Sequence, residues 1–192
     1  MSVRPAGSPA SAAPARAGLL RRYAALIYEA LLLTALLLIA GFALTPFVSP
    51  GPANPAGPTL PSIAGRAISC VALVALGAWF YGWSWSRGRR TLPMKTWRIA
   101  LIAAAGAALS PGRALERYAA LWIGPLLALA VHVALEPWGL RALAWPVLAL
   151  NWLWALADRD RQFLHDRLAG TRLVMSPPER RQAAGTAPRQ QR

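Results

Sequence analysis

The feature that most constrains this chain is a series of long apolar runs that are almost free of charge. Tyr23 to Val48 is one run of 26 residues with Glu29 as its one acid, and 63–85 is a second run of 23 residues. About 20 apolar residues cross the ~30 Å of hydrocarbon in a bilayer. Two shorter runs, of 18 residues each, cover 118–135 and 140–157. We therefore predict an all-α membrane protein with four transmembrane helices.

The composition narrows the classes of protein that the chain can belong to. Of its 192 residues, 56% are hydrophobic, yet the formal net charge is +14. Apolar residues in uninterrupted runs exclude an ordinary soluble domain and a disordered chain. The single cysteine, Cys70, excludes an internal disulfide. Two classes remain, a basic nucleic-acid binder and a multi-span membrane protein.

The distribution of the basic residues favours the membrane protein. With four spans, nineteen of the 21 basic residues fall on one side, and Arg66 and Arg141 are the two exceptions. The positive-inside rule then places both termini in the cytoplasm. Without the fourth span the eight basic residues after 157 would change sides, so the rule also supports that span. We expect the charge to meet anionic lipid headgroups, not nucleic acid.

The segments outside the spans predict a small cytoplasmic cap made from 87–117 and 158–175. The apolar stretch 99–109 has 11 residues, which is too short to span, and its alternating pattern predicts a short strand that turns at Gly106. Ser110 is placed to cap a following helix. After the fourth span, a short helix ends at Gly170 and 172–175 is extended. The tails 1–18 and 176–192 are predicted to be disordered.

Glu29 is the most informative single residue, because an ionisable group inside a span is costly and faces other helices or water. Arg22 lies on the same helical face but about 10 Å away, too far for direct pairing. One interpretation is a protonatable or cation-binding site on a translocation path. The other is an ion pair that attaches the first helix to the cap, with an Arg from 87–117 or from the C-terminal tail. We favour the second, since no other intramembrane acid accompanies Glu29.

The remaining polar residues give little support for catalysis. His132 and Asn151 lie inside predicted spans, where such groups join helices by hydrogen bonds. His165 and Asp166 are adjacent on a helix and should not face each other, so we expect Asp166 to pair with nearby arginines (Arg159, Arg161 or Arg167). With two histidines and one cysteine we expect no metal site, no cofactor and no enzyme activity.

Four motifs in order resemble the RDD family of small bacterial membrane proteins, named for an arginine and two aspartates. They are RRYAALIYE ending at Glu29, TLPMKTWR ending at Arg98, RALER ending at Arg117, and HDRLAGT ending at Thr171. The resemblance covers roughly residues 17–175. It implies a multi-pass protein of the bacterial inner membrane with no established general activity, although transport has been suggested.

The resemblance also implies a set of site residues. Arg22 matches the family arginine, and Glu29 stands where the family has its first aspartate. The second aspartate corresponds to Asp166, with Asp158 as the other candidate. We predict a polar network at the cytoplasmic face, with His165, Gly170 and Thr171 in the family motif and these charged members: Arg22, Glu29, Asp158, Arg161 and Asp166.

Two hypotheses of function follow. The first is transport or ion exchange, motivated by the acid in a span. The second is a non-catalytic accessory or assembly protein that binds a membrane-protein partner through the cap. Four thin spans make a poor conduit on their own, so the first hypothesis implies a homo-oligomer.

Overall fold

The computed structural model describes residues 15–48 and 61–176, and it is mostly helical. Helix α1 (Leu19–Val48) has 30 residues and α2 (Ile63–Ser84) has 22. A third helical stretch, Pro111–Trp138, joins α4 (Pro111–Leu121) to α5 (Ile123–Leu135) and a 3-10 turn. All three are long and apolar enough to cross a membrane.

The three long helices direct large apolar side chains outward. Phe42 on α1 is 77% exposed, Val71 on α2 is 69% exposed, and Leu126 on α5 is 60% exposed. A protein in water buries such residues, because each exposed side chain of this size costs about 1.5–3 kcal/mol. The outward apolar surface is therefore suited to hydrocarbon, as the sequence predicted.

The predicted fourth helix, 140–157, is broken into shorter pieces. They are a 3-10 turn at Arg141–Leu143, α6 (Ala144–Leu148) and α7 (Leu150–Ala157). Pro146 lies inside this stretch and has no N–H to donate, which weakens a continuous helix. The pieces do return along α5 as a hairpin, and the Leu148 carbonyl would lie 2.9 Å from a Cβ added at Gly124. The hairpin is present, but a straight fourth span is not.

A two-stranded antiparallel sheet lies at the end of the molecule where α1 begins and α2 ends, which we call the sheet end. Strand β1 (Ile99–Ala103) pairs with β2 (Thr171–Met175), with Leu101 opposite Leu173. The predicted strand after Trp97, the turn at Gly106 and the extended 172–175 segment are confirmed.

The chain before α1 also joins this sheet. The Ala17 N–H donates to the Leu173 carbonyl at 3.2 Å, and the Met175 N–H donates to the Ala15 carbonyl at 2.7 Å. Arg16 forms an ion pair with Asp160. The sequence assigns this segment to a disordered tail, but the free edge of β2 gives its backbone a partner. The rest of the predicted tails, 1–14 and 177–192, lies outside the described residues.

The apolar core of the described residues lies mainly at the sheet end and extends between the adjoining turns of α1, α2 and α4. It includes Trp85, Phe163 and Ile99, each at most 2% exposed. Short helices α3 (Leu92–Thr96) and α8 (Leu164–Leu168) close over it. Tyr81 and Trp85 belong to a row of aromatic residues at the end of α2, a pattern typical of the headgroup level. Their rings nevertheless stack on each other in the core, with 4.0 Å between ring centroids. Trp79 and Trp83 remain exposed, as the membrane boundary predicts.

Candidate functional site

The buried charged side chains gather at the sheet end, where α1, α4 and α8 meet. Arg117 on α4 donates through Nε to Oδ1 of Asp166 on α8 over 2.7 Å. The two side chains are 5% and 1% exposed. The Arg117 guanidinium also lies over the Trp85 ring, 4.1 Å from its centroid. A buried charge is tolerated only when a partner replaces its water, so this pair fixes α8 to α4.

Asp166 stays negatively charged in this environment. Burial raises the pKa of its carboxyl, but the neighbouring charges and hydrogen bonds, of which the Arg117 guanidinium is the strongest, together hold the pKa below its usual range. The Thr171 hydroxyl lies 3.3 Å from Oδ1 and 3.2 Å from the Asp166 carbonyl. Gly170, with φ of +61°, makes the turn that brings β2 back to this position.

His165 is the third member of the cluster and is neutral. Burial lowers the pKa of its imidazole to about 3. Nε2 lies 3.2 Å from Nη2 of Arg117, and because a guanidinium has only donors, Nε2 must accept. The proton is therefore on Nδ1. The expectation that His165 and Asp166 do not approach each other is wrong, because both side chains are directed toward Arg117. Nε2 of His165 lies 3.6 Å from Oδ1 of Asp166.

Arg22 connects the first helix to the cluster through backbone carbonyls. Its Nη1 donates to the Arg161 carbonyl at 2.6 Å, and its Nη2 lies 3.4 Å from the Leu173 carbonyl. Arg22 is 3% exposed. Arg161 has φ of +50°, an unusual conformation for a residue with a Cβ, and it turns this carbonyl toward α1. Arg22 therefore attaches the start of α1 to the segment before α8 and to β2.

Glu29 lies two turns further along α1 and lines two cavities of different character. The first is about 20 Å³, room for one water-sized group, and Arg22, Arg117 and His165 also line it. The second is an apolar cleft of about 450 Å³ between α1, α2 and the α4–α5 stretch. Glu29 thus stands between the charged cluster and an apolar space inside the helices.

The Glu29 carboxylate has polar side chains near it, but one of its two oxygens accepts no hydrogen bond from the described residues. The Thr91 and Trp85 side chains approach it, and Arg117 is the cation whose charge acts on it most. Its Oε1 atom is buried and has no hydrogen-bond partner among residues 15–48 and 61–176. In the same part of the chain, Glu29 forms no ion pair within 4.0 Å. The expected ion pair between Glu29 and an arginine of 87–117 or of the C-terminal tail is not formed among the described residues, and Arg117 acts on Glu29 through its charge without direct contact.

The predicted polar network is brought together in part. Four of its members converge at the sheet end: Arg22, Glu29, His165 and Asp166. The expected pairing of Asp166 with Arg159, Arg161 or Arg167 is wrong. Helix α8 turns the Asp166 carboxylate inward, where it pairs with Arg117. Asp158 belongs to a separate contact near the surface. Its Oδ2 accepts from the Asp160 and Gln162 N–H groups at 3.1 and 3.0 Å, and its Oδ1 accepts from Arg167 at 2.8 Å.

Arg117 is the central residue that sequence reasoning missed. It ends the RALER motif, but a basic residue at the start of an apolar run is also typical of an ordinary membrane flank. Its one distinguishing signal was position. Ala114, Arg117 and Ala120 are the buried residues of α4, which places Arg117 on the inward face.

The two other polar residues of the predicted spans, Asn151 and His132, differ in burial and in hydrogen bonding. Asn151 on α7 is fully buried, and its Nδ2 donates to the Leu121 carbonyl at 2.9 Å, which joins α7 to the end of α4 as expected. His132 is exposed and forms no hydrogen bond within the described ranges. Across the same ranges, no three His, Cys, Asp or Glu side chains converge as a metal site would require.

Long apolar helices with a buried ion-pair cluster at one end define a small helical membrane protein. The chain belongs to the RDD family, whose family model matches residues 16–170. The resemblance seen in the four motifs is thereby confirmed. No curated protein and no solved structure matches the chain.

Proposed function

We propose that this RDD-family protein exchanges protons or monovalent cations across the bacterial inner membrane, with Glu29 as the residue that binds the ion. The observation that supports this proposal is that Glu29 lines both the small charged cavity and the apolar cleft. An acid in a membrane-spanning helix is costly, and it is retained where it binds or relays an ion. In this proposal the ion meets Glu29 between the two spaces.

The surroundings of Glu29 suit reversible binding. Asp166 already neutralises Arg117 at 2.7 Å, so the guanidinium is not committed to Glu29. The free Oε1 atom can accept a proton or coordinate a cation. The Arg117–Asp166 pair acts as a fixed support on one side of the site, and the apolar cleft limits access by water on the other.

The proposal includes the topology that the charge distribution predicts. The sheet end lies in the cytoplasm as a small cap, and the hairpin of α5 with α6 and α7 supplies the third and fourth crossings. The thin wall around the cleft implies that copies of the chain associate. Association would shield Glu29 from lipid and complete the path.

Transport measurements in liposomes test this function. The full chain is reconstituted into liposomes that contain a pH-sensitive dye, and a proton gradient is opposed by a Na⁺ or a K⁺ gradient. We expect the protein to collapse the proton gradient faster than empty liposomes do. The E29Q variant should return the rate to that of empty liposomes, because an amide neither binds a proton near neutral pH nor carries charge.

A matched variant separates the ion-binding role from general effects of charge. Glu116 is an acid on α4 whose side chain is 60% exposed, and E116Q should transport as the wild type does. Thermal melting of both variants in detergent checks that each is folded. Wild-type liposomes that behave as empty ones with both cations would refute ion exchange, and normal transport by folded E29Q would refute the role of Glu29.

A further inference from the structure

A second polar feature lies on the outside of the sheet end, away from Glu29. Where α2 ends and α4 begins, a groove of about 490 Å³ runs along the surface. Its wall contains Trp79, Gly82 and Leu115, and its far end contains Arg87 and Arg89. We call it the arginine groove. It combines an apolar wall with two cations at one end.

Arg89 is held in place at the end of the groove. Its Nε donates to the Trp83 carbonyl at 2.7 Å, and its Nη2 donates to the Ser86 hydroxyl at 3.1 Å. Its guanidinium lies 4.6 Å from the centroid of the Trp83 ring. A guanidinium has five N–H donors, and these contacts use two of them. The remaining donors are preorganised for an anion.

Arg87 lies in a turn with an unusual, left-handed backbone conformation. Its φ is +56° and that of Gly88 is +73°, and its N–H donates to the Leu109 carbonyl at 2.8 Å. This bond anchors the turn to the segment before α4. The Arg87 side chain is exposed and has no ion pair or side-chain hydrogen bond within 15–48 and 61–176. A strained turn that presents an unpaired cation points to a ligand for that cation.

We infer that the arginine groove binds one anionic phospholipid, with its phosphate at Arg87 and Arg89 and an acyl chain along Trp79 and Leu115. Among the residues that the structure describes, no acidic side chain lines the groove, so its charge is complementary to a phosphodiester. Pro111, the first residue of α4, also lines it and adds the positive end of the helix dipole. Arginine presents planar donors that suit phosphate oxygens.

The apolar wall favours a lipid over a free phosphate. Trp79 is 67% exposed and Leu115 is 44% exposed, and a soluble phosphate would leave both uncovered. Gly82 has no side chain, so the Leu115 side chain can pack closely against α2. A continuous apolar surface below two cations matches the shape of a phospholipid that stands in its leaflet with the headgroup at the sheet end.

Native mass spectrometry of the full chain in detergent tests this site. Phosphatidylglycerol and phosphatidylcholine with identical acyl chains are added in separate titrations, and inorganic phosphate is added as a competitor. We expect one phosphatidylglycerol to be retained in preference to phosphatidylcholine. R87Q should weaken its retention about fivefold, and R87Q with R89Q about thirtyfold, if each arginine contributes as a basic residue near an anionic surface does.

R66Q is the matched control, because Arg66 lies at the opposite end of the same helix α2. Its retention of phosphatidylglycerol should be unchanged. R87Q changes a side chain that has no ion pair or side-chain hydrogen bond among the described residues, so its fold should be intact, and melting in detergent checks this. Equal retention of the two lipids, competition by inorganic phosphate, or equal losses in R66Q and R87Q would each overturn the inference.

Discussion

Replacing Asp166 with asparagine tests the ion pair on which the sheet end depends. The change keeps the size of the side chain but removes its negative charge. Arg117 would then be a buried cation, 5% exposed and without its partner at 2.7 Å. Removing one partner of a buried pair costs about 3–5 kcal/mol, since the remaining charge has lost both its water and its counter-charge.

The expected cost translates into a measurable shift in the unfolding temperature. For a chain of this size, 1 kcal/mol of destabilisation corresponds to roughly 2–4 °C. D166N should therefore lower the melting temperature by roughly 10 °C. The measurement is loss of helical circular dichroism on heating the purified protein in a mild detergent at neutral pH.

E116Q is the control for this experiment. Glu116 and Arg113 form a pair on the surface of α4, 3.4 Å apart and more than half exposed, and such pairs contribute about 0–1 kcal/mol. E116Q should shift the melting temperature by no more than a few degrees. Adding R117M to D166N removes the unpaired charge and should recover part of the loss. If D166N melts as E116Q does, the buried pair does not stabilise the sheet end and the reasoning is wrong.

Two further predictions concern the residues around Asp166. His165 is neutral when folded, with a pKa of about 3 against an ordinary value of 6.5, so the unfolded chain binds the extra proton as pH falls below 6.5. Stability should be constant above that pH and fall by about 2 kcal/mol between pH 6.5 and 5, and H165Q should flatten this slope in melts across pH. Gly170 adopts a left-handed φ of +61°, so G170A should cost about 1–2 kcal/mol in the same assay, and an unchanged melting temperature would contradict it.

Much of the fold followed from local pattern. The strand at Ile99, the turn at Gly106 and the cap at Ser110 depend on residues close in the chain, and the structure has each of them. Predictions from local pattern were wrong where contact with an element distant in the chain decided how a segment packs. Tyr81 and Trp85 fit an aromatic belt by sequence, but they pack under the short helices of the sheet end. The tail before α1 looked disordered until the edge of β2 gave it a partner.

The sequence by itself determined that this chain belongs in a membrane and that Glu29 stands out within a span. Both conclusions depend on properties of single residues and their near neighbours, because the cost of placing side chains in hydrocarbon adds along a helix. Only the tertiary structure decided that Asp166 pairs with Arg117, 49 positions away, and not with the arginines beside it. The partner of a buried charge is set by which helix faces meet, and no local spacing specifies that.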